Sequence, residues 1–257
     1  WDEDAAYFYY DHGPLARVEI GDEQVQGVDY AYTLQGWIKG TNSTIQSSAN
    51  DMGRDGKRND GTTGSYISSL PNLHASIPED VASFSLNYFQ DNTANLIDYE
   101  SVTNTSWLAV GAYNTNQNLW NGNIQSMVTS IYTEDNGNLV KSPMLYNYRY
   151  DQLQRLKEFE SVIASGLLTN NDWNGKTWGG YTGYYEYDAN GNLKRLTRSA
   201  NSVAMDNLTY SYYTETNKLD HVSDPVSPSA FSDDIESQGD FNYTYDEIGN
   251  LISDASE

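Results

Sequence analysis

The eleven residues Phe241–Leu251 (FNYTYDEIGNL) constrain the fold more than any other part of the sequence. Their first five residues alternate aromatic and small polar side chains, which is the period of a β-strand with one aromatic face. Asp246 can hydrogen-bond the following backbone to start a turn, and Gly249 can adopt a positive φ without a steric penalty. An apolar strand restarts at Leu251. The stretch therefore predicts a β-hairpin.

This hairpin motif recurs along the chain. Tyr185–Leu193 is the clearest second copy, and in Leu145–Leu156 the final Leu stands six residues after Tyr150, just as Leu251 follows Tyr245. Tyr210–Leu219 is a degenerate copy in which Thr214 replaces the Asp and the Gly is lost. The tyrosine before the turn falls at 150, 187, 213 and 245, and the separations of 37, 26 and 32 residues favour hairpins with variable loops over a solenoid of fixed pitch.

Four further segments carry predictions of their own, and two of them leave an alternative open. Residues 152–165 carry apolar side chains at helix-like spacing, but the repeat favours a strand. Residues 29–34 alternate as a strand, and Gln35-Gly36-Trp37-Ile38 then predicts a shorter version of the repeat turn. Residues from about 41 to 76 are a predicted long loop, with a linker at about 222–240. A calcium site in the loop at 41–76 is a weaker alternative, because the spacing of its oxygen-bearing side chains differs from the ligand spacing of a calcium-binding loop. These side chains are Asp51, Asp55, Asn59 and Asp60.

The composition excludes several classes of function. A net charge of −22 argues against a nucleic-acid binder and against an anionic membrane surface. The chain has no cysteine, which excludes disulfides, thiolate zinc sites and a thiol nucleophile, and it has no apolar run long enough to cross a membrane. The 22 tyrosines, against 6 Phe and 6 Trp, suit strands with a half-wet face, because the ring packs while the hydroxyl finds a partner.

No catalytic, cofactor or metal site is predicted. His12, His74 and His221 stand apart from any metal-binding spacing, and no nucleophile motif or phosphate loop is present. An acidic run precedes the last repeat and is interpreted as a solvated loop; it comprises Asp233, Asp234, Glu236 and Asp240. The tyrosine surplus favours cross-strand packing over sugar binding. Trp173 and Trp178, in a loop rich in Gly and Asn, are the candidate ligand-binding aromatics.

Tyr-x-Tyr-Asp-x-x-Gly-Asn-Leu resembles the YD repeat of RHS proteins. Tyr243–Leu251 and Tyr185–Leu193 match it directly, and Tyr148–Leu156 matches apart from the Gly. Residues 29–40 (DYAYTLQGWIKG) and 119–127 (LWNGNIQSM) also resemble secreted RHS proteins of Gram-negative bacteria. The residues that carry the repeat motif are Tyr148, Tyr150, Asp151, Leu156, Tyr185, Tyr187, Asp188, Gly191, Leu193, Tyr243, Tyr245, Asp246, Gly249 and Leu251.

The resemblance implies an all-β strip of antiparallel hairpins that forms part of a spiral shell around a toxic C-terminal polypeptide. The whole of 1–257 would be a structural, non-enzymatic segment of a longer secreted protein. Its partners would be the cargo at the C-terminal end of the same polypeptide or a component of a secretion machinery. Such shells end in a self-cleavage motif, but Asp224-Pro225 is followed by Val226 and Ser227 rather than by its glycine, so cleavage at Asp224 is not expected. The alternative is a cell-surface adhesin that binds glycan or protein through loop aromatics.

Overall fold

The described part of the protein is all-β, as the sequence predicts. The structure is a computed structural model that describes residues 3–42, 52–53, 55, 77–78, 80–88, 119, 121–135, 138–141, 143–164, 176–229, 231 and 235–256. None of these residues forms a helix, and so none provides an apolar helix that could cross a bilayer.

Fifteen strands follow one another in the described part of the chain. They are β1 Ala5–Tyr9, β2 Leu15–Ile20, β3 Gln26–Tyr32, β4 Ile38–Thr41, β5 Ala82–Asn87, β6 Ser126–Asp135, β7 Asn138–Lys141, β8 Met144–Tyr150, β9 Leu156–Ala164, β10 Lys176–Tyr187, β11 Leu193–Ala200, β12 Val203–Tyr212, β13 Leu219–Ser223, β14 Tyr243–Tyr245 and β15 Leu251–Asp254.

The strand order follows the chain order. Strands β1 to β13 belong to one open sheet in which each strand pairs with its neighbour in sequence, except that β7 pairs only with β6 and β6 is followed by β8. β14 and β15 form a separate two-stranded sheet. This sequential antiparallel pairing is what a chain of hairpins produces, because short turns bring consecutive strands side by side.

The chain divides into two compact units. The first contains Trp1–Tyr146 and Ile163–Thr177, and the second contains Asn147–Val162 and Trp178–Glu257. In the first unit Leu86 and Tyr88 are buried in an apolar cluster that half-buried neighbours complete; these are Trp37, Ile38, Phe84, Ile124 and Met127. In the second unit the fully or nearly fully buried apolar side chains are Val162, Leu208 and Val222.

The strands and hydrogen bonds test three of the sequence-based interpretations. Residues 156–164 form strand β9, so the repeat rather than the helical spacing decides their structure. The backbone of Trp178 lies in strand β10 and not in a loop, which corrects that expectation; Trp173 and the side chain of Trp178 lie outside the described residues. The described part of the linker is hydrogen-bonded to the chain at the end of β13. Gln238 N donates to Val222 O, and Asp224 N donates to Ser237 Oγ.

Candidate functional site

Six hairpin turns share one backbone hydrogen-bond pattern. In each, the amide of the first residue donates to a carbonyl four or five residues later, and the amide of the fourth residue donates back to the carbonyl of the first. The strand pairing also shifts register at the residue just before five of these turns, those that begin at Tyr10, Thr33, Asp188, Tyr213 and Asp246. The six turns are Tyr10–Pro14, Thr33–Trp37, Asp151–Arg155, Asp188–Asn192, Tyr213–Lys218 and Asp246–Asn250.

Aspartate starts three of these turns and ties them internally. In the Asp188 turn, Oδ1 accepts the amides of Asn190 and Asn192, at 2.9 and 2.8 Å, and Oδ2 accepts the side-chain amide of Asn192. The same bonds recur at Asp246. Because these bonds favour the ionised form, the side-chain amide of Asn192 and the turn backbone lower the pKa of Asp188 below its ordinary value. These aspartates are therefore turn-forming residues.

The structure corrects where two of the predicted turns begin. The Thr33 turn has the same length as the Asp188 turn and not a shorter one, because Thr33 occupies the aspartate position and its Oγ1 accepts the amide of Trp37. In the degenerate copy, Tyr213 rather than Thr214 occupies the aspartate position, so the residue before the turn is Tyr212. For the Thr33 turn the sequence signal was Tyr32, the last tyrosine before the turn, whereas in the degenerate copy the adjacent Tyr212 and Tyr213 do not show which of them precedes the turn.

In three of the six turns, the tyrosine that directly precedes the turn binds the preceding hairpin. Tyr187 Oη donates to Leu156 O at 2.7 Å, Tyr212 Oη to Leu193 O at 2.8 Å, and Tyr245 Oη to Leu219 O at 3.1 Å. Each acceptor is the first residue after the turn of the previous repeat. The motif therefore works as a unit, because its tyrosine reaches back to the carbonyl of the motif leucine before it.

These tyrosine rings are half-buried while their hydroxyls are bonded. Burial raises the pKa of Tyr187 and of Tyr212, which keeps the donating hydroxyl protonated across the ordinary pH range. Tyr150 and Tyr185 are likewise half-buried, and burial raises the pKa of both. Tyr148 and Tyr243 are half-buried too, whereas Leu251, in the last repeat, is 56% exposed.

In three of the turns, the polar side chain of the last turn residue reaches the next hairpin. Arg155 lies over the ring of Tyr187, with 4.6 Å from Cζ to the ring centroid, and its Nη1 donates to Asp188 O. Lys218 lies over Tyr245 in the same way and its Nζ donates to Asp246 O. Asn192 instead donates to the side-chain oxygen of Asn217 at 2.8 Å. Two of these three contacts are thus cation–π contacts.

A buried charge cluster lies in the first unit. The guanidinium of Arg17 bonds Glu19 at 2.9 Å, Asp55 at 2.7 Å and the carboxylate of Asp29, and all four residues are at least nine-tenths buried. Burial by itself would lower the pKa of Arg17, but the three carboxylates outweigh it and raise the pKa. The cluster excludes any larger residue at Gly53, because a Cβ there would overlap Arg17 Nη1 and Asp29 Oδ2.

This cluster bears on the calcium alternative. Asp55, one of the four candidate ligands, has its carboxylate on Arg17, so a guanidinium already supplies the positive charge that it faces. Asp51, Asn59 and Asp60 lie outside the described residues. Sequence reasoning missed Arg17, because its partners lie two, twelve and thirty-eight residues away and follow no motif.

His221 stands between two carboxylates. Its Nδ1 lies 3.0 Å from Asp220 Oδ2 and 3.6 Å from Asp240 Oδ1, and the three ligand atoms lie within 4.8 Å of one another. Burial by itself would raise the pKa of Asp220, but hydrogen bonds from His221 and the amide of Phe241 lower it. The grouping ties the linker to β13, and Asp240 remains mostly exposed.

The remaining sequence candidates have local partners. Asp224 is buried, and its Oδ1 accepts the amides of Asn207 and Val226, which is a structural arrangement. His12 stacks on Tyr10 with 5.4 Å between ring centroids. His74, Asp233 and Asp234 lie outside the described residues, and Glu236 is exposed.

A scan of the sequence against models of known protein families finds no match, and a search of curated proteins finds none either.

Proposed function

We propose that this chain is a non-catalytic, structural segment of a secreted YD-repeat protein of the RHS type, and that it forms part of a β-shell around a C-terminal toxin or effector. The observation that carries the proposal is the repeated bond from the tyrosine before a turn to the carbonyl after the preceding turn. A contact that recurs once per hairpin lets identical units extend a sheet without a new interface each time.

The polar composition of the buried face also supports a structural role. The small hydroxyl side chains of Ser85, Ser130 and Ser161 are fully buried, as are the apolar side chains of Val128 and Leu208. Small side chains allow close backbone approach, whereas the tyrosines hold neighbouring hairpins together at their ends. In this proposal the protein acts outside the cell or at its surface, and its partner is the cargo of the same polypeptide or a secretion-machinery component.

The test uses the complete polypeptide that contains this segment. We expect its C-terminal part to resist a protease that digests the same part expressed alone. The combined changes Tyr187→Phe, Tyr212→Phe and Tyr245→Phe remove three inter-hairpin bonds, each contributing about 1 kcal/mol, and are expected to speed that digestion. Tyr184→Phe, at a 45% exposed position on β10, is the matched control. Equal digestion of the enclosed and isolated C-terminal part would contradict the shell.

A second candidate function is adhesion to glycan or protein. It is favoured by three consecutive exposed aromatic residues on the end strand β1, where Tyr7 is 60% exposed, Phe8 46% and Tyr9 62%. Exposed aromatic rings can stack on sugar rings or on a partner surface. A glycan array compared between the parent, a Tyr7→Ala/Tyr9→Ala variant and a Trp173→Ala/Trp178→Ala variant separates the two functions. Absence of glycan binding by the parent would remove the lectin form of this candidate.

A further inference from the structure

An open cavity lies between the first two turns of the chain. It has a volume of about 130 Å³ and is lined by Tyr10, His12, Pro14, Tyr32, Thr33, Leu34 and Gly36. This volume exceeds what a single water needs and is of the size of a small organic cation. The residues that line the cavity all belong to the first unit.

In two other pairs of successive turns, a cationic side chain of the protein itself joins one turn to the next. Arg155 ends the Asp151 turn, lies over the tyrosine that precedes the next turn, and donates to the carbonyl of the first residue of that turn. Lys218 does the same from the Tyr213 turn. Each of these two cationic side chains therefore lies over a tyrosine ring and also donates a hydrogen bond to a turn carbonyl.

In the first pair of turns the equivalent of Arg155 is Pro14. Pro14 ends the Tyr10 turn, Tyr32 directly precedes the next turn, and Thr33 is the first residue of that turn. Proline has no cationic group to lay on the tyrosine ring. Tyr32 and Thr33 both line the open cavity, in the positions that Tyr187 and Asp188 have beside Arg155.

The other walls also suit a cation of low hydration. Tyr10 is the first residue of its turn, the position that Asp151 has in the turn that ends at Arg155, and it adds a second aromatic residue to the cavity lining. His12 stacks on Tyr10 and, in its neutral form, offers a ring nitrogen as an acceptor. Aromatic walls attract guanidinium more readily than a strongly hydrated ammonium. The net charge of −22 raises the local concentration of any cation.

From this internal comparison we infer that the cavity between the Tyr10 and Thr33 turns binds a guanidinium group, presented as an arginine side chain by a partner polypeptide. The guanidinium lies on the Tyr32 ring and donates to Thr33 O, as Arg155 does at Tyr187 and Asp188 O. This site is independent of the shell proposed above.

The test is a titration followed by NMR of the histidine side chains. The chain has three histidines, so the His12 signals can be assigned with a His12→Asn variant. The probe is a short peptide with one arginine, and the matched control peptide carries citrulline, which is its neutral isostere. At constant pH and ionic strength, we expect the arginine peptide to give a saturable shift of the His12 signals and the citrulline peptide to give none. His221 serves as a reference for nonspecific effects of charge.

Three variants locate the site. Pro14→Arg supplies the internal cation that the other turns have, and it is expected to weaken binding of the arginine peptide at least tenfold. Pro14→Gln removes the proline without adding a charge and is expected to bind as the parent does. Tyr32→Leu removes the ring face and is expected to weaken binding by about threefold or more.

Three results would overturn the inference. Equal shifts with the citrulline peptide would show that the charge is not recognised. Unchanged binding by Pro14→Arg would place the peptide elsewhere. Tighter binding of tetramethylammonium than of the arginine peptide would assign the cavity to quaternary ammonium groups.

Discussion

Arg17 and Arg155 each bind carboxylates, but in different surroundings. Arg17 is 5% exposed and meets three carboxylates, one from its own strand, one from β3 and one from residue 55. Arg155 has a side chain that is 28% exposed, pairs with Asp151 four residues earlier, and lies on Tyr187. The first arginine neutralises buried charge, and the second joins two neighbouring hairpins.

This difference separates two sources of stability in one fold. Removing a buried partner leaves charges without compensation in a medium of low polarity, whereas a half-exposed pair loses little because water replaces the partner. The two arginines therefore allow the energetic weight of burial to be measured within one chain.

The largest effect is expected from Arg17→Met. The variant leaves Glu19, Asp29 and Asp55 buried without their guanidinium, and it is expected to lower the free energy of unfolding by about 3–5 kcal/mol. Urea unfolding at neutral pH measures this loss. A loss no larger than that of Arg155→Met would show that burial does not decide the difference.

Gly53→Ala tests the packing around Arg17. A Cβ at Gly53 would overlap the guanidinium and Asp29, so the ion pairs must shift, and we expect a loss of about 1–3 kcal/mol in the free energy of unfolding. Gly239→Ala is the matched control, since nothing lies within 4 Å of a Cβ at that position. Equal unfolding free energies for the two variants would contradict a closely packed cluster.

Arg155→Met is expected to cost about 1 kcal/mol in the free energy of unfolding. It removes a half-exposed ion pair, a bond to Asp188 O and a cation–π contact while keeping an apolar stem over Tyr187. The loss should fall as salt is added, because water and ions screen the pair. A salt-independent loss would indicate that packing on the ring, and not charge, holds the two hairpins.

Asp151→Asn is expected to have the smallest effect on the free energy of unfolding, and the size of this effect should depend on pH. Hydrogen bonds from the amide and the side chain of Arg155 lower the pKa of Asp151 in the folded protein, so its contribution is complete above the unfolded value of about 3.9 and is lost as pH falls towards the folded value. The variant should therefore be less stable than the parent at neutral pH, and the gap should close in acid. A gap that stays constant across the titration would show that the carboxylate charge is not responsible.

Much of the fold follows from local patterns in the sequence. Alternation of aromatic and polar residues, followed by Asp-x-x-Gly-Asn-Leu, predicts both strands and the turn at Asp188 and Asp246, because each requirement is met within five residues. The Asp151 turn forms although it lacks the glycine, since Gln154 adopts a φ of 66°. The all-β class therefore depends on local chemistry that the sequence displays.

The first residues of the Thr33 and Tyr213 turns could be assigned only from the structure. Thr33 and Tyr213 begin turns with the same backbone bonds as Asp188, although neither carries a carboxylate. Strand pairing fixes where the turn begins, and a side chain that binds its backbone only reinforces that position. A motif search on the aspartate therefore places the Tyr213 turn one residue too late and makes the Thr33 turn too short.

The hairpin unit can be recognised from the sequence, because the residues that build each turn are neighbours in the chain. The contacts between hairpins become visible in the folded protein: the three carboxylates around Arg17, the tyrosine-to-carbonyl bonds, and the cavity lined by Tyr10 and Tyr32. These contacts depend on the lengths of the intervening loops and on strand register. Neither quantity is visible in a motif whose own residues span fewer than a dozen positions.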